Sequence, residues 1–460
     1  MRKNEKNQPE NKRGTAMEEN DQLTLQFASI SGKKVTADFT GGEVTSDVGV
    51  LAMREIAHKI GIIRRLAEAI HDKRHQSYIK HETSELLAQR IFQIICGYED
   101  TNDATDLRTD PGFKASCDRL PSEADLASQP TLTRFENSIS KKDIYRIAEV
   151  FVEQFIASYD VPPPAIVLDI DDTDDETHGT QQLSLFNGYY NEHCYLPLFI
   201  FEGQSGKLIT SILRPGTRPD GAQIRAIIKR VIKRIRKAWP TVGILVRGDS
   251  HFATPKLYSW CDKHNVYYVL GLPKNSTLNE RAKAIRAVAR WRYKTFGGKA
   301  RVFKEIRYQA SSWHRALRVI IMAEASDTGE NFRFIVTNLE HGTPSFLYET
   351  VYCGRGQMEN FIKDHKIALR SGRTSCHSFI ANCFRLMLHS AAYVIMHTFR
   401  EKALAGTSLA TAQFDTIRLK LLKIGAEVRE FKTKLHFILP ASCPVKDIFA
   451  TMRLNIALLM

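Results

Sequence analysis

The chain has 460 residues, 43% of them apolar, which exceeds one average domain and suffices for a large core with appended modules. Sixty-five Lys and Arg against 51 Asp and Glu give a net charge of +14 and a pI near 9.3, favouring an anionic partner, nucleic acid first and an acidic membrane surface second. The eight cysteines are scattered without a Cys-x-x-Cys pair, which argues against a disulfide framework or zinc ribbon and for reduced, buried thiols.

Residues 1–22 are polar and mixed in charge and read as a disordered tail. Their start, MRKNEKNQPENKRG, has neither an apolar core nor a cleavage site, so a cytoplasmic location is expected. Residues 23–160 show helical spacing, for example Leu86, Leu87, Ile91, Ile94 and Ile95, with breaks at Gly97-Tyr98-Glu99-Asp100 and Ser128-Gln129-Pro130. This predicts a helical N-terminal domain of the sort that reads DNA with a helix in the major groove.

Pro162, Pro163 and Pro164 stop that pattern. Strands are predicted at 165–171, 195–201 and 207–213, a helix capped by Asp220 and Gly221 from about 222, and then strand 242–246, helix 254–264 and strand 266–272. Three strands joined by short turns pair antiparallel and helical crossovers demand parallel pairing, so this order predicts an α/β fold with a mixed sheet. The predicted helix 222–238 puts Ile224, Ile228 and Ile235 on one face. Seven basic and no acidic residues fill positions 225–237, including Lys229, Lys233 and Arg236, and that face is read as a DNA contact rather than a merely solvated one.

From 273 to 349 a basic helix and three strands suggest a β-rich insertion on the sheet, and helices return from about 350, with a C-terminal helical region over 401–460. The apolar stretch 379–399 is interrupted by Arg385, His389 and His397 and reads as a buried helix, not a membrane span. Trp291 and Trp313 in the insertion read as core residues ahead of base-stacking ones.

Three acidic positions could carry chemistry. Asp169 and Asp171 lie two apart on one strand and share a face, and Asp249 closes a later strand, where α/β sheets place ligands. Hard oxygen donors gathered in this way suit Mg²⁺ or Mn²⁺. The plain alternative is a solvated acidic loop, since Asp172, Asp174, Asp175 and Glu176 follow at once. Further on, Tyr352, Arg355, Glu359 and Lys366 stand at offsets of 3, 7 and 14, which bring all four within roughly 60° of arc on an α-helix. A carboxylate flanked by a guanidinium and an ammonium suits a phosphodiester.

The pattern Tyr-x2-Arg-x3-Glu-x6-Lys from Tyr352 to Lys366 resembles the signature of a large group of bacterial insertion-sequence transposases with an RNase H-like catalytic domain. Leu168-Asp169-Ile170-Asp171-Asp172-Thr173 and Arg247-Gly248-Asp249-Ser250-His251-Phe252 resemble the same group. The resemblance covers residues 160–400. It implies a DDE triad of Asp171, Asp249 and Glu359 binding Mg²⁺, with Mn²⁺ able to substitute, and Asp169 as an alternative or helper to Asp171. It further implies that Arg355 and Lys366 grip the DNA backbone and Tyr352 a phosphate. The implied layout is an RNase H-like domain over 161–272, its β-rich insertion over 273–349, and completion over 350–400. The implied partners are the terminal inverted repeats and target DNA, with a homodimer in the synaptic complex and no membrane. Two other readings stand beside it. Asp169-x-Asp171-x-Thr173 also fits the opening motif of haloacid-dehalogenase-like phosphohydrolases, although the acid expected after Gly248-Asp249 is missing; the other is a non-catalytic DNA-binding regulator descended from a transposase.

Overall fold

The structure is a computed structural model describing residues 24–217 and 221–459; the predicted tail and the predicted Asp220 cap lie outside the described residues. Its centre is an eight-stranded mixed sheet, whose strands are numbered here as β1 (Ala165–Asp172), β2 (Leu198–Glu202), β3 (Leu208–Ile212), β4 (Gly243–Gly248), β5 (Tyr267–Leu272), β6 (Ala300–Tyr308), β7 (Leu317–Ser326) and β8 (Gly329–Thr337). The spatial order is β6-β7-β8-β5-β4-β1-β2-β3. Strands β1, β4 and β5 run parallel, joined through helices α1 (Gly221–Ala238) and α2 (Pro255–Lys263), while β2 and β3 add antiparallel by short turns. This is the mixed pairing that the connection lengths predict. After β5 the chain makes α3 (Ser276–Phe296), and then β6, β7 and β8 form an antiparallel meander that rejoins at β5, so the inserted strands extend the sheet itself.

Alternation along β1 decides what each face of the sheet carries. Ile166, Leu168 and Ile170 point to one side and pack with Ile224, Ile228, Val231, Ile232 and Ile235 of α1. Asp169 and Asp171 point to the other side, as do Phe199 and Phe201, their direct partners on β2. That second face is covered by helix α4 (Phe379–Thr398). The stretch Phe379–Ala403 is long and apolar enough to cross a membrane, and 83% of its most apolar window is buried inside the molecule, where it forms the spine of the core.

Helices of the first 160 residues, among them Thr83–Cys96 and Lys141–Ala157, bury one common core with α4 and with the chain out to Ile456. The two helical regions expected as separate modules therefore share their interior. A fully buried Arg90 donates to Glu136, and Arg385 on α4 meets the same carboxylate from the other side.

Four local expectations are corrected. Residues 25–37, expected to be helical, form a hairpin of Leu25–Ile30 and Lys33–Ala37, turned by Ser31 and Gly32 with φ of 49° and 78°. Two consecutive left-handed residues suit the right-handed twist of paired strands. The C-terminal region is likewise not all helix, since Ala426–Phe431 and Lys434–Ile438 pair with each other and with Val44–Thr45. The single strand expected over 195–201 is split into Glu192–Tyr195 and β2 by Pro197, which has no N–H for a ladder. Finally, residues 346–368 are helical but unevenly wound: a tight 3₁₀ turn at Cys353–Gly356 and wide π turns at Phe346–Tyr352 and Asp364–Ala368 flank the α-helical Gln357–Lys363. The uniform 100° step assumed for the Tyr-Arg-Glu-Lys arc does not hold there.

Candidate active site

The carboxylates at the end of β1 are each met by a group from a different part of the chain. Asp169, wholly buried, takes Arg247 in a two-pronged pair, Nε to Oδ1 at 2.6 Å and Nη2 to Oδ2 at 2.7 Å. Asp171 receives Nη1 of Arg355 on Oδ2 at 3.1 Å. Asp172 receives Arg214 at 2.6 Å, and the His251 ring stands 3.7 Å from both Asp172 and Asp249, tying the end of β1 to the residue just past β4. Asp174 accepts from Lys366 at 2.9 Å and Asp175 from the Thr374 hydroxyl at 2.8 Å.

Burial decides how these groups titrate. It pushes the Asp171 carboxyl up to about 7; Arg355 pulls it down, while Asp249 and Asp172 add to the rise. Burial raises Asp169 as well, against the pull of Arg247. It also acts to raise Asp172, yet His251 and Arg214 hold that group below the usual carboxylate range.

The chain brings Tyr352, Arg355 and Asp171 together. The Tyr352 ring is buried, the Arg355 guanidinium lies 5.7 Å from its centre, and a Cβ at Gly271 on β5 would come within 2.8 Å of the Tyr352 hydroxyl, so this glycine makes room for the ring. The segment is pinned to α4 by His365, whose two nitrogens meet Ser371 at 2.7 Å and Ser390 at 2.9 Å. Burial holds that imidazole down at about 3, so it stays neutral. Glu359 is exposed on the same segment, with Met358 beside it buried.

Hard oxygens at Asp171 and Asp249 fit a divalent cation, which would offset the unfavourable burial of the Asp171 charge. Among the described residues no group of three or more His, Cys, Asp or Glu is disposed to hold a metal ion.

The other predicted contacts separate. Helix α1 lies on the sheet face opposite Asp171. Lys229 and Lys233 are exposed there, whereas Arg236 donates to the backbone carbonyls of His264 and Asn265 and so secures the end of α2. Trp313 is packed edge-on between Tyr258 and Tyr308, each at 5.3 Å, and is a core residue; Trp291 is 58% exposed beside Phe296.

Sequence reasoning passed over Arg247, Arg214 and His251. The signal for Arg247 was present: an arginine in the otherwise apolar Ile244-Leu245-Val246-Arg247 and an aspartate in Val167-Leu168-Asp169 are both charges in buried strands, and such charges must be paired.

Asp175 allows a direct check on burial. Burial pushes its carboxyl up to about 7, against the pull of Thr374 and Lys366, and its Oδ1 has no hydrogen-bond partner. A carboxyl with a raised folded-state pKa favours the fold fully below its unfolded pKa of about 4, and that contribution is lost as pH rises through 7. Asp175→Asn should therefore match the wild type in stability near pH 3 and exceed it by a few kcal/mol at pH 8. Urea denaturation across that range checks this, and a stability gap independent of pH would contradict it.

Acids at the ends of adjacent parallel strands, faced by a guanidinium from a separate helical segment, make this an α/β protein with a polyacidic strand-end site. The sequence matches the family described as Transposase DDE domain group 1 over residues 27–460, and the chain belongs to this family of DDE transposases. No curated protein matches. Among solved structures the chain is similar to the piggyBac transposase, in a cryo-EM structure of its synaptic complex with hairpin DNA, at 11% identity and a TM-score of 0.42, over 90% of this chain and 86% of that one.

Proposed function

We propose that this transposase binds the ends of a bacterial insertion sequence, cleaves DNA strands there and joins the 3′ ends to target DNA. The observation that carries the reading is the buried Asp171, set near Asp249 and held by Arg355 at the mouth of two parallel strands. The order β3-β2-β1-β4-β5, with acids at the end of β1 and just after β4, supports an RNase H-like core.

In this reading Asp171 and Asp249 hold a divalent ion, Mg²⁺ with Mn²⁺ as substitute, and Glu359 completes the set from the helical segment. The bound ion supplies a lowered pKa for the attacking water and charge stabilisation for the leaving 3′ oxygen. Arg355 exchanges Asp171 for a DNA phosphate, and its planar fork suits either oxyanion. Tyr352 keeps that guanidinium oriented by stacking beneath it, and Lys366 adds a second cation along the backbone. Asp169 has both oxygens taken by Arg247, which speaks against its serving as a nucleophile in a phosphohydrolase.

Lys229 and Lys233 contact DNA away from the cut, because α1 lies behind the sheet. A Lys229→Ala, Lys233→Ala double variant should flatten the plot of log affinity against log salt by about 2. An unchanged slope in fluorescence anisotropy would remove α1 from the DNA surface.

Because the protein acts on the ends of its own element, as a homodimer in the bacterial cytoplasm, labelled duplexes copied from DNA flanking the gene are the substrate to test. With Mg²⁺ or Mn²⁺, discrete strand cleavage is expected, lost in Asp249→Ala and Glu359→Ala. Tight binding without cleavage would favour a regulator, and intact cleavage in either variant would refute the triad.

A further inference from the structure

We propose that Arg247 is a positioning residue for this site, locking the segment that carries Arg355 and Glu359 against the strand ends that carry Asp171 and Asp249, with Asp169 as its counter-ion. The inference rests on the site reading given above. Arg247 stands directly across from Asp169 in the β1–β4 register, two residues before Asp249. Its Nε and Nη2 are committed to Asp169. Its remaining nitrogen, Nη1, donates to the carbonyl oxygen of Val351 at 2.8 Å, immediately ahead of Tyr352. One side chain thus joins both catalytic strands and the helical segment.

The surroundings are shaped for this grip. A Cβ at Gly203 would lie 2.3 Å from Asp169 Oδ2 and 2.5 Å from Arg247 Nη2, and one at Gly354 would lie 2.6 Å from Arg247 Nη1. A larger residue at Gly203 would push the pair apart, and one at Gly354 would press on the nitrogen that reaches Val351. Stability is a poor reason to retain such an arrangement, because buried ion pairs are commonly matched or bettered by apolar residues of similar volume. What an apolar pair cannot do is hold the Val351 carbonyl at a fixed distance from the strand ends. The same contact explains Gly354, whose place at the start of the segment otherwise only weakens a helix.

Two variants separate the role from simple folding. Asp169→Leu with Arg247→Met replaces the pair by apolar bulk, and Gly354→Ala leaves the pair whole but drives Nη1 off Val351. Mn²⁺ binding, followed by electron paramagnetic resonance, is the readout, with cleavage of flank-derived duplexes beside it. Both variants should melt close to the wild type yet bind Mn²⁺ about 10- to 100-fold more weakly, the usual cost of losing a group that orients ligands. Adding Glu359→Ala to either should cause no further loss, since the glutamate is already misplaced. Folded variants that bind Mn²⁺ and cleave as the wild type does, or losses that multiply with Glu359→Ala, would overturn the role. The site reading fails in a different way, through Asp171→Asn and Asp249→Asn proteins that keep full Mn²⁺ affinity.

Discussion

Asp171→Asn will reduce metal-dependent strand cleavage by at least about a thousandfold, roughly 4 kcal/mol of barrier, while making the protein more stable at pH 8. Loss and gain have one cause. The Asp171 carboxyl is buried and pushed up to about 7, so at pH 8 the fold bears an unfavourable charge that a neutral amide of the same shape does not carry. The gain should shrink as pH falls through 7 and vanish below about pH 3, where the carboxyl is protonated in both states. Asp169→Asn should behave in the opposite sense although burial raises that carboxyl too, because both its oxygens are bonded to Arg247. It removes half of a buried pair and leaves Arg247 charged in the interior, a change that costs about 3–5 kcal/mol. Its damage therefore appears first in the denaturation curve. Cleavage rates and urea melts of the two variants side by side separate these roles; equal retention of activity in Asp171→Asn would remove it from the site.

An effect on stability as large as that of Asp169→Asn is expected far from the acids, at Glu136. Its carboxylate is 2% exposed, accepts from Arg90 Nε at 2.9 Å, and faces Arg385 Nε at 3.3 Å. Arg90 lies on Thr83–Cys96, Glu136 on Gln129–Ser138 and Arg385 on α4, so three helices far apart in sequence converge on one buried charge. Glu136→Ala strands two guanidinium groups and should cost about 3–5 kcal/mol. Glu136→Gln, which keeps an acceptor, should cost less. Denaturation by urea measures both, and a loss below about 1 kcal/mol for the alanine variant would mean that water replaces the carboxylate.

What the sequence made legible and what it hid follow from the range of the interactions involved. Alternation in Ile166 to Asp171 and the isoleucine stripe of α1 are local signals, and they were sufficient for the face on which each residue falls, while the lengths of the connections were sufficient for the mixed sheet. That Asp169 and Arg247 each need a partner was legible, but that they partner each other was hidden, because it depends on two strands 78 residues apart meeting in one register. The hairpin at 25–37 was missed although Leu25-Gln26-Phe27 and Val35-Thr36-Ala37 alternate and pair with each other, because the runs are short, largely exposed, and joined by Ser31-Gly32, a weaker turn signal than Asn-Gly. Trp291 and Trp313 are chemically identical and differ only in what surrounds them, which no local pattern reveals. The Tyr-Arg-Glu-Lys spacing was recognisable, but the 3₁₀ and π turns within it coincide with tertiary contacts, Arg247 on Val351 and His365 on Ser390, that local spacing does not reveal.

The central claim is that Asp171 and Asp249, joined by Glu359, hold the metal ion that cuts DNA. Anomalous scattering from Mn²⁺ in crystals of the protein bound to its flank-derived DNA tests it most directly. The account predicts a manganese peak coordinated by one oxygen each of Asp171, Asp249 and Glu359, with Arg355 moved from Asp171 to a phosphate. A peak elsewhere, or Arg355 still seated on Asp171 with DNA in place, would contradict it.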